Sequence, residues 1–242
     1  MSDRQTIADS KRAFHSQFPH VIPALYRRTA DELLVELHLL SHQKRFIRTD
    51  SLFAVGLVQV FKTFTRGYEP EGQLPELFNA ICCSNGFDPD VLREKSDLAL
   101  ESVKDKDHKV EDVQKWITNQ GEGAPTALAD ALKRAHQDNF HYSRLMAVGV
   151  LTLLLTAQGE DSTSPEVMRE KAHELGEAMG FSKSRVKKDL SLYTTNFEKM
   201  TQAVELMEET LAAERRKQQK QESERTKDGQ KPTENIIQGV SS

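Results

Sequence analysis

His38 and His42 stand four residues apart in a stretch with helical spacing, so both imidazoles could face one metal ion. No cysteine lies near enough to complete a ligand set. Glu36, the neighbouring acid, would project about 200° around a helix from His38. The pair therefore reads as surface or internally satisfied histidines, and His136 and His141, five apart, suit a shared ion less well. Cys82 and Cys83 are adjacent, and neighbouring helical side chains diverge by about 100°, too far for an unstrained bridge. They read as buried thiols of a reducing compartment rather than a redox pair. Nucleophile elbows, phosphate-cradling glycine loops and Cys–His pairs are missing. Acids are plentiful, but no pair of them stands out for acid–base work. The sequence predicts no catalytic residue, no cofactor and no metal, and hence a protein that is not an enzyme.

Residues 173–190, HELGEAMGFSKSRVKKDL, offer a different chemistry. A helix ending at Gly180, a cap at Ser182 and a packing residue at Val186 trace a helix-turn-helix. Lys183, Arg185, Lys187 and Lys188 would then face outward toward phosphates and base edges. The remainder of the chain opposes a DNA-binding regulator. Acids outnumber bases, 37 against 33, for a net charge of -4, whereas phosphate-held binding draws on counterion release by a basic excess. No nucleic-acid partner is expected.

The elements that must position these groups are helices. Glycine (12) and proline (8) are sparse, and no strand-like alternation appears. A long helix should begin after Pro23, and a second should run from a cap near Asp50 to a stop at Gly67. A third ends at Gly86 after the loop YEPEGQLP, and Asp88 with Pro89 opens a fourth, to about Lys104. The charged stretch of residues 104–125 reads as a mobile connection holding one short helix around Trp116. Helices then resume through TALADALKRAHQ and YSRLMAVGVLTLLLTA, and after the loop QGEDSTSP another runs to Gly180. The most apolar run, LMAVGVLTLLLTA, is thirteen residues long, short of the roughly 20 a membrane span needs, and reads as a core helix. The N-terminus has no apolar signal core, and Asp3 and Asp9 argue against a transit peptide.

LFAVGLVQVF at Leu52 echoes LMAVGVLTLL at Leu145, and NGFDPDVLREK at Asn85 echoes MGFSKSRVKKD at Met179. The offsets are 93 residues from Ala54 to Ala147 and 94 from Gly86 to Gly180, which suggests an internal repeat of about residues 50–100 and 143–195. In the earlier copy, Asp88, Asp90 and Glu94 follow the turn, where they would repel phosphate. Such a Gly-Phe corner is a structural device first.

From Leu190, apolar residues fall at Tyr193, Phe197, Met200, Val204, Met207 and Leu211, a heptad seam in steps of three and four. The helix should continue through AAERRKQQKQESER, for about 60 Å at helical rise. This predicts an all-α protein: a multi-helix globular bundle with a long, partly protruding C-terminal helix. Its parts would be a body of residues 1–181, a long helix of residues 182–226 and a disordered tail of residues 227–242. Met207, Leu211, Arg215, Arg216 and Lys217 are the candidate partner-binding residues on that helix. Interspersed Glu214, Glu222 and Glu224 weaken the same cluster as a contact for anionic lipid. The expected state is a monomer, its seam satisfied within one chain, with a coiled-coil homodimer scaffold as the alternative.

The sequence resembles the thylakoid formation proteins, also called photosystem II biogenesis proteins, of cyanobacteria and chloroplasts. The resemblance is carried by SKRAF at Ser10, IPALYRRTADELLVELHLLS at Ile22, LFAVGLVQVF at Leu52 and GYEPE at Gly67. It continues through LFNAICCSNGFDP at Leu77, YSRLMAVG at Tyr142 and KKDLSLYTTNFEKM at Lys187, in order over about residues 10–209. It implies an all-helical, non-enzymatic accessory protein of thylakoid membranes that supports photosystem II biogenesis and repair. It also implies association with an FtsH-type membrane protease complex and with photosystem II assembly or repair machinery. Without a transit peptide, the resemblance points to a cyanobacterial member, peripheral on the cytoplasmic side of the membrane. The family offers no catalytic residues to carry over.

Overall fold

Capping side chains and chain-reversing glycines set most of the helix boundaries. In the computed structural model, which describes residues 5–104, 109–138, 140–159 and 165–228, ten α-helices and one short 3-10 turn account for the regular structure. No strand occurs among the described residues. The helices are α1 (Ile7–Gln17), α2 (Ala24–Ser41), α3 (Ser51–Phe64), α4 (Leu74–Cys83) and α5 (Pro89–Lys104). They continue as α6 (Val110–Thr118), α7 (Thr126–Ala135), α8 (Arg144–Gln158), α9 (Pro165–Ala178) and α10 (Lys183–Asp228). Asp50 caps α3 by accepting from the N–H groups of Leu52 and Phe53, and Asp88 does the same for α5 with Asp90 and Val91. The Ser143 hydroxyl accepts from Leu145 N–H at the start of α8.

By contact density the chain divides into residues 1–198 and 199–242. Within the first unit, α3 packs most extensively on α8. Residues 51–58 of α3 and 145–154 of α8 are buried without interruption, as expected of helices apolar on all sides. No described helix is long and apolar enough to cross a membrane, and the greasy run of α8 instead forms the middle of this unit. The two helices meet through paired glycines. A Cβ on Gly56 would lie 1.7 Å from the Leu145 carbonyl oxygen, and one on Gly149 would lie 2.1 Å from that of Leu52. Each echo segment thus offers its glycine to the first leucine of the other, a reciprocal antiparallel crossing.

The two Gly-Phe corners share one geometry. Gly86 has φ +72° and Gly180 +78°, while Phe87 N–H donates to the Cys82 carbonyl and Phe181 N–H to that of Gly176. At the second corner the Ser182 hydroxyl meets that of Ser184 at 3.1 Å, and the Ser182 carbonyl receives the N–H groups of Arg185 and Val186.

Two features depart from expectation. The segment carrying SKRAF forms α1, opened by a reciprocal Thr6–Asp9 capping box and seated on α2 and α4. The stretch around Trp116 is a packed element: Val110, Val113, Trp116 and Ile117 of α6 are buried, and α6 contacts α7, α8 and α9. Of the expected loop at residues 158–165, residues 160–164 lie outside the described residues, as do the charged residues 105–108. Of the expected tail at residues 227–242, all from 229 on lie outside them too, while 227 and 228 continue α10.

The described part of the second unit continues α10. Met207 is half-buried, Leu206 and Leu211 are exposed, and every side chain of residues 208–220 faces solvent.

Candidate functional site

Around the Gly180 corner, two of the four candidate phosphate-reading cations have protein partners. Lys183 pairs with Glu177 at 3.2 Å, and the Arg185 guanidinium lies 5.0 Å from the centroid of the Tyr142 ring. Val186 packs so closely on α9 that a Cβ on Gly176 would sit 3.1 Å from its methyl group. Lys187 and Lys188 remain exposed. The corner opens a 46-residue helix in place of a short recognition helix.

The same corner closes a polar junction. Tyr142 donates its phenolic hydrogen to Asp189 at 2.8 Å. Glu36 of α2 accepts from the Ser143 hydroxyl at 3.2 Å and from Arg144 Nε at 2.5 Å. Burial pushes the Glu36 carboxyl above its ordinary range, against the opposing pull of Arg144 and its hydrogen bonds. Burial likewise raises the Tyr142 hydroxyl, with the Asp189 charge adding to the effect. Three separate stretches, α2, the start of α8 and the start of α10, are tied together here. Proton-transfer chemistry would require a ligand to enter, and these groups already face one another.

His38 and His42 do come together, their ring centroids 4.5 Å apart. Their nitrogens serve the fold: Ser10 Oγ lies 2.9 Å from His38 Nδ1, and His42 Nδ1 reaches the His38 carbonyl at 2.8 Å. Burial lowers the His38 pKa, the nearby His42 lowers it further, and Asp9 works the other way. Among the described residues no group of three His, Cys, Asp or Glu side chains converges as a metal site. His136 and His141 part company: His136 Nδ1 reaches the Leu132 carbonyl at 2.8 Å, and His141 edges the Phe46 ring. Cys82 is buried as expected and its thiol pushed up by desolvation. Cys83, also expected to be buried, is exposed because its side chain points to another side of α4; both are free thiols.

The candidate residues of the C-terminal helix lie in the second unit. Met207 and Leu211 belong to the seam, and Arg215, Arg216 and Lys217 form an exposed cationic turn. They share one helix.

One concavity went unforeseen. A cleft of about 590 Å³ opens where the Gly67–Glu71 loop crosses α3, α4 and α5. Phe61, Leu74 and Phe78 line it, with Lys62, Arg66 and Asp97 on its walls. Tyr68 is buried against Tyr26, the ring centroids 5.1 Å apart, and the Tyr26 hydroxyl donates to the Arg66 carbonyl. Arg93 lies 4.7 Å from the Phe78 centroid and bonds Asp90 and Asn79. The sequence signal was the GYEPE turn between two apolar helices, but concavity depends on how those helices cross.

Comparison with known proteins accounts for this architecture. The family model of thylakoid formation proteins matches residues 6–222. Protein Thf1 of Prochlorococcus marinus (strain MIT 9313) is 59% identical over 241 residues, covering 99% of this chain and 97% of that protein. Protein Thf1 of Synechococcus sp. (strain CC9605) is 50% identical over 221 residues, covering 91% of this chain and 95% of that one. A solved structure of Psb29 matches with a TM-score of 0.73 at 31% identity, covering 88% of this chain and 98% of that chain.

Proposed function

Because the chain belongs to the thylakoid formation protein family, we propose that it is a non-enzymatic accessory protein supporting photosystem II biogenesis and repair. It acts by binding and stabilising an FtsH-type membrane protease complex, peripherally, on the cytoplasmic side of the thylakoid membrane. The observation that carries this reading is the exposed stretch of α10. Over residues 205–220 it presents Leu206, Leu211 and the Arg215–Lys217 cations along one helix, an adhesive surface. Helix-face recognition joins apolar anchors to a charged flank, and Met207, Leu211, Arg215, Arg216 and Lys217 supply both.

Co-purification of the protease complex with the tagged full chain, solubilised from native membranes, tests this. Leu211→Glu combined with Arg215→Glu should reduce protease recovery at least tenfold, with the circular dichroism of the chain unchanged. Ending the chain after Leu211 should reduce recovery as much, with the body still folded. Recovery unchanged in both variants would show that the exposed part of α10 is not the contact.

A further inference from the structure

We propose that the loop joining α2 to α3 is a docking patch for an anionic lipid surface. This gives a residue-level basis to the peripheral placement proposed above. Residues 37–49, LHLLSHQKRFIRT, contain no acid in a chain where acids outnumber bases, and they hold Lys44, Arg45 and Arg48. The flanking acids are engaged elsewhere. Glu36 bonds Ser143 and Arg144, while Asp50 is buried, capping α3 and pairing with Arg134 at 3.2 Å.

The loop is held in place. Arg48 donates to the Ser41 carbonyl at 3.1 Å and to that of Gly86 at 2.6 Å, which ties the loop's end back to the helix it left. Phe46 is buried against Phe53, the ring centroids 4.8 Å apart. With Phe46 directed inward, Lys44 and Arg45 face solvent, and among the described residues no ion pair holds either of them. The same stretch also holds two aliphatic side chains in water: Ile47, 41% exposed, and Leu39 in the last turn of α2, 59% exposed.

Cations beside aliphatic tips match a bilayer interface, where the charges meet lipid phosphates and the aliphatic groups sit below the headgroups. Duplex nucleic acid would satisfy the cations and leave Ile47 and Leu39 in water. The cationic turn of α10 is a weaker candidate, because Glu208, Glu209 and Glu214 stand within two turns of it. Because the loop is already ordered, docking costs little conformational entropy.

The test is co-sedimentation of the full chain with vesicles of equal parts phosphatidylglycerol and phosphatidylcholine, at low and at physiological salt. A Lys or Arg near such a surface contributes about fivefold in affinity, so Lys44→Gln with Arg45→Gln should weaken binding about 25-fold. Ile47→Ser should weaken it by about fivefold with the salt dependence unchanged, because it removes insertion and leaves charge. Arg215→Gln, Arg216→Gln and Lys217→Gln together should bind as the parent chain does. Thermal melts of the charge variants should coincide with the parent's, since those side chains lie in solvent, and Ile47→Ser should remain folded with a slightly lower melt.

Parent-like binding by the Lys44/Arg45 variant would overturn the proposal. So would loss of binding in the α10 variant alone, equal binding to pure phosphatidylcholine, or equal binding to duplex DNA of matched phosphate content. The assay contains no second protein, so its failure would leave the protease reading standing, and the co-purification test addresses that separately.

Discussion

Replacing Gly56 by alanine adds one methyl group and should destabilise the fold, although the same change at an ordinary helical site stabilises it. Alanine gains about 1 kcal/mol over glycine in a helix interior. At position 56 the new Cβ would stand 1.7 Å from the Leu145 carbonyl oxygen and 3.0 Å from Gly149 N, whereas ordinary contact begins at 3.4 Å. Both obstacles are main chain, so no rotamer change relieves them, and α3 and α8 must part. A gap of even about 1 Å forfeits up to half of each dispersion contact across an interface, and this is the most extensive one in the unit. Overpacking of this kind costs about 1–3 kcal/mol, and backbone-on-backbone obstruction places it at or above the upper end. After the propensity gain, a net loss of about 2 kcal/mol or more remains, or about 4–8 °C in Tm for a domain of this size. Gly149→Ala should behave alike, since its Cβ would stand 2.1 Å from the Leu52 oxygen. The double variant should lose less than the two single losses added, because one separation relieves both clashes. Urea unfolding followed by circular dichroism reads all three. Gly72→Ala, with nothing within 4 Å of the added carbon, serves as the control and should be neutral or slightly stabilising. A Gly56→Ala chain as stable as the parent would show that α3 and α8 do not approach as described.

Two further perturbations test the supporting side chains. Asp50→Ala removes the α3 cap and leaves Arg134 without its buried partner, so unfolding free energy should drop by about 3 kcal/mol. Asp50→Asn, which keeps an acceptor for the Leu52 and Phe53 N–H groups, should lose clearly less in the same urea titration. His38 should titrate below its ordinary 6.5 by NMR, because burial and His42 disfavour its charged form. The unfolded ring then takes a proton before the folded one does, so stability should fall as pH drops below about 6.5. His38→Gln should flatten that part of the pH profile, and an unchanged slope would assign it to another group.

The sequence made the central helices legible because their signals are local. Asp50 caps the helix it was expected to cap and Asp88 the one it was expected to open, and Gly86 and Gly180 turn the chain with the left-handed φ that glycine permits. The helix α1 escaped notice because Phe14 is its lone buried apolar residue, and its buried Ser10 looks polar in the sequence. Around Trp116, charged neighbours concealed a spacing of three, three and one among Val110, Val113, Trp116 and Ile117, which marks a packed face. The junction of Glu36 with Arg144 and of Tyr142 with Asp189 joins residues 108 and 47 positions apart. Nothing in a one-dimensional pattern pairs them. The cleft beside the Gly67–Glu71 loop was hidden for the same reason, since its walls come from three helices whose crossing is set by tertiary packing.

A helix buried along ten consecutive residues, as α8 is from Leu145 to Leu154, has no side left to show a visitor. With the buried stretch of α3, it forms a part of the molecule that nothing outside can touch. Scanning mutagenesis there would grade how well the chain folds and say little about whom it meets. The residues that meet a stranger first belong to the outer turns and loops.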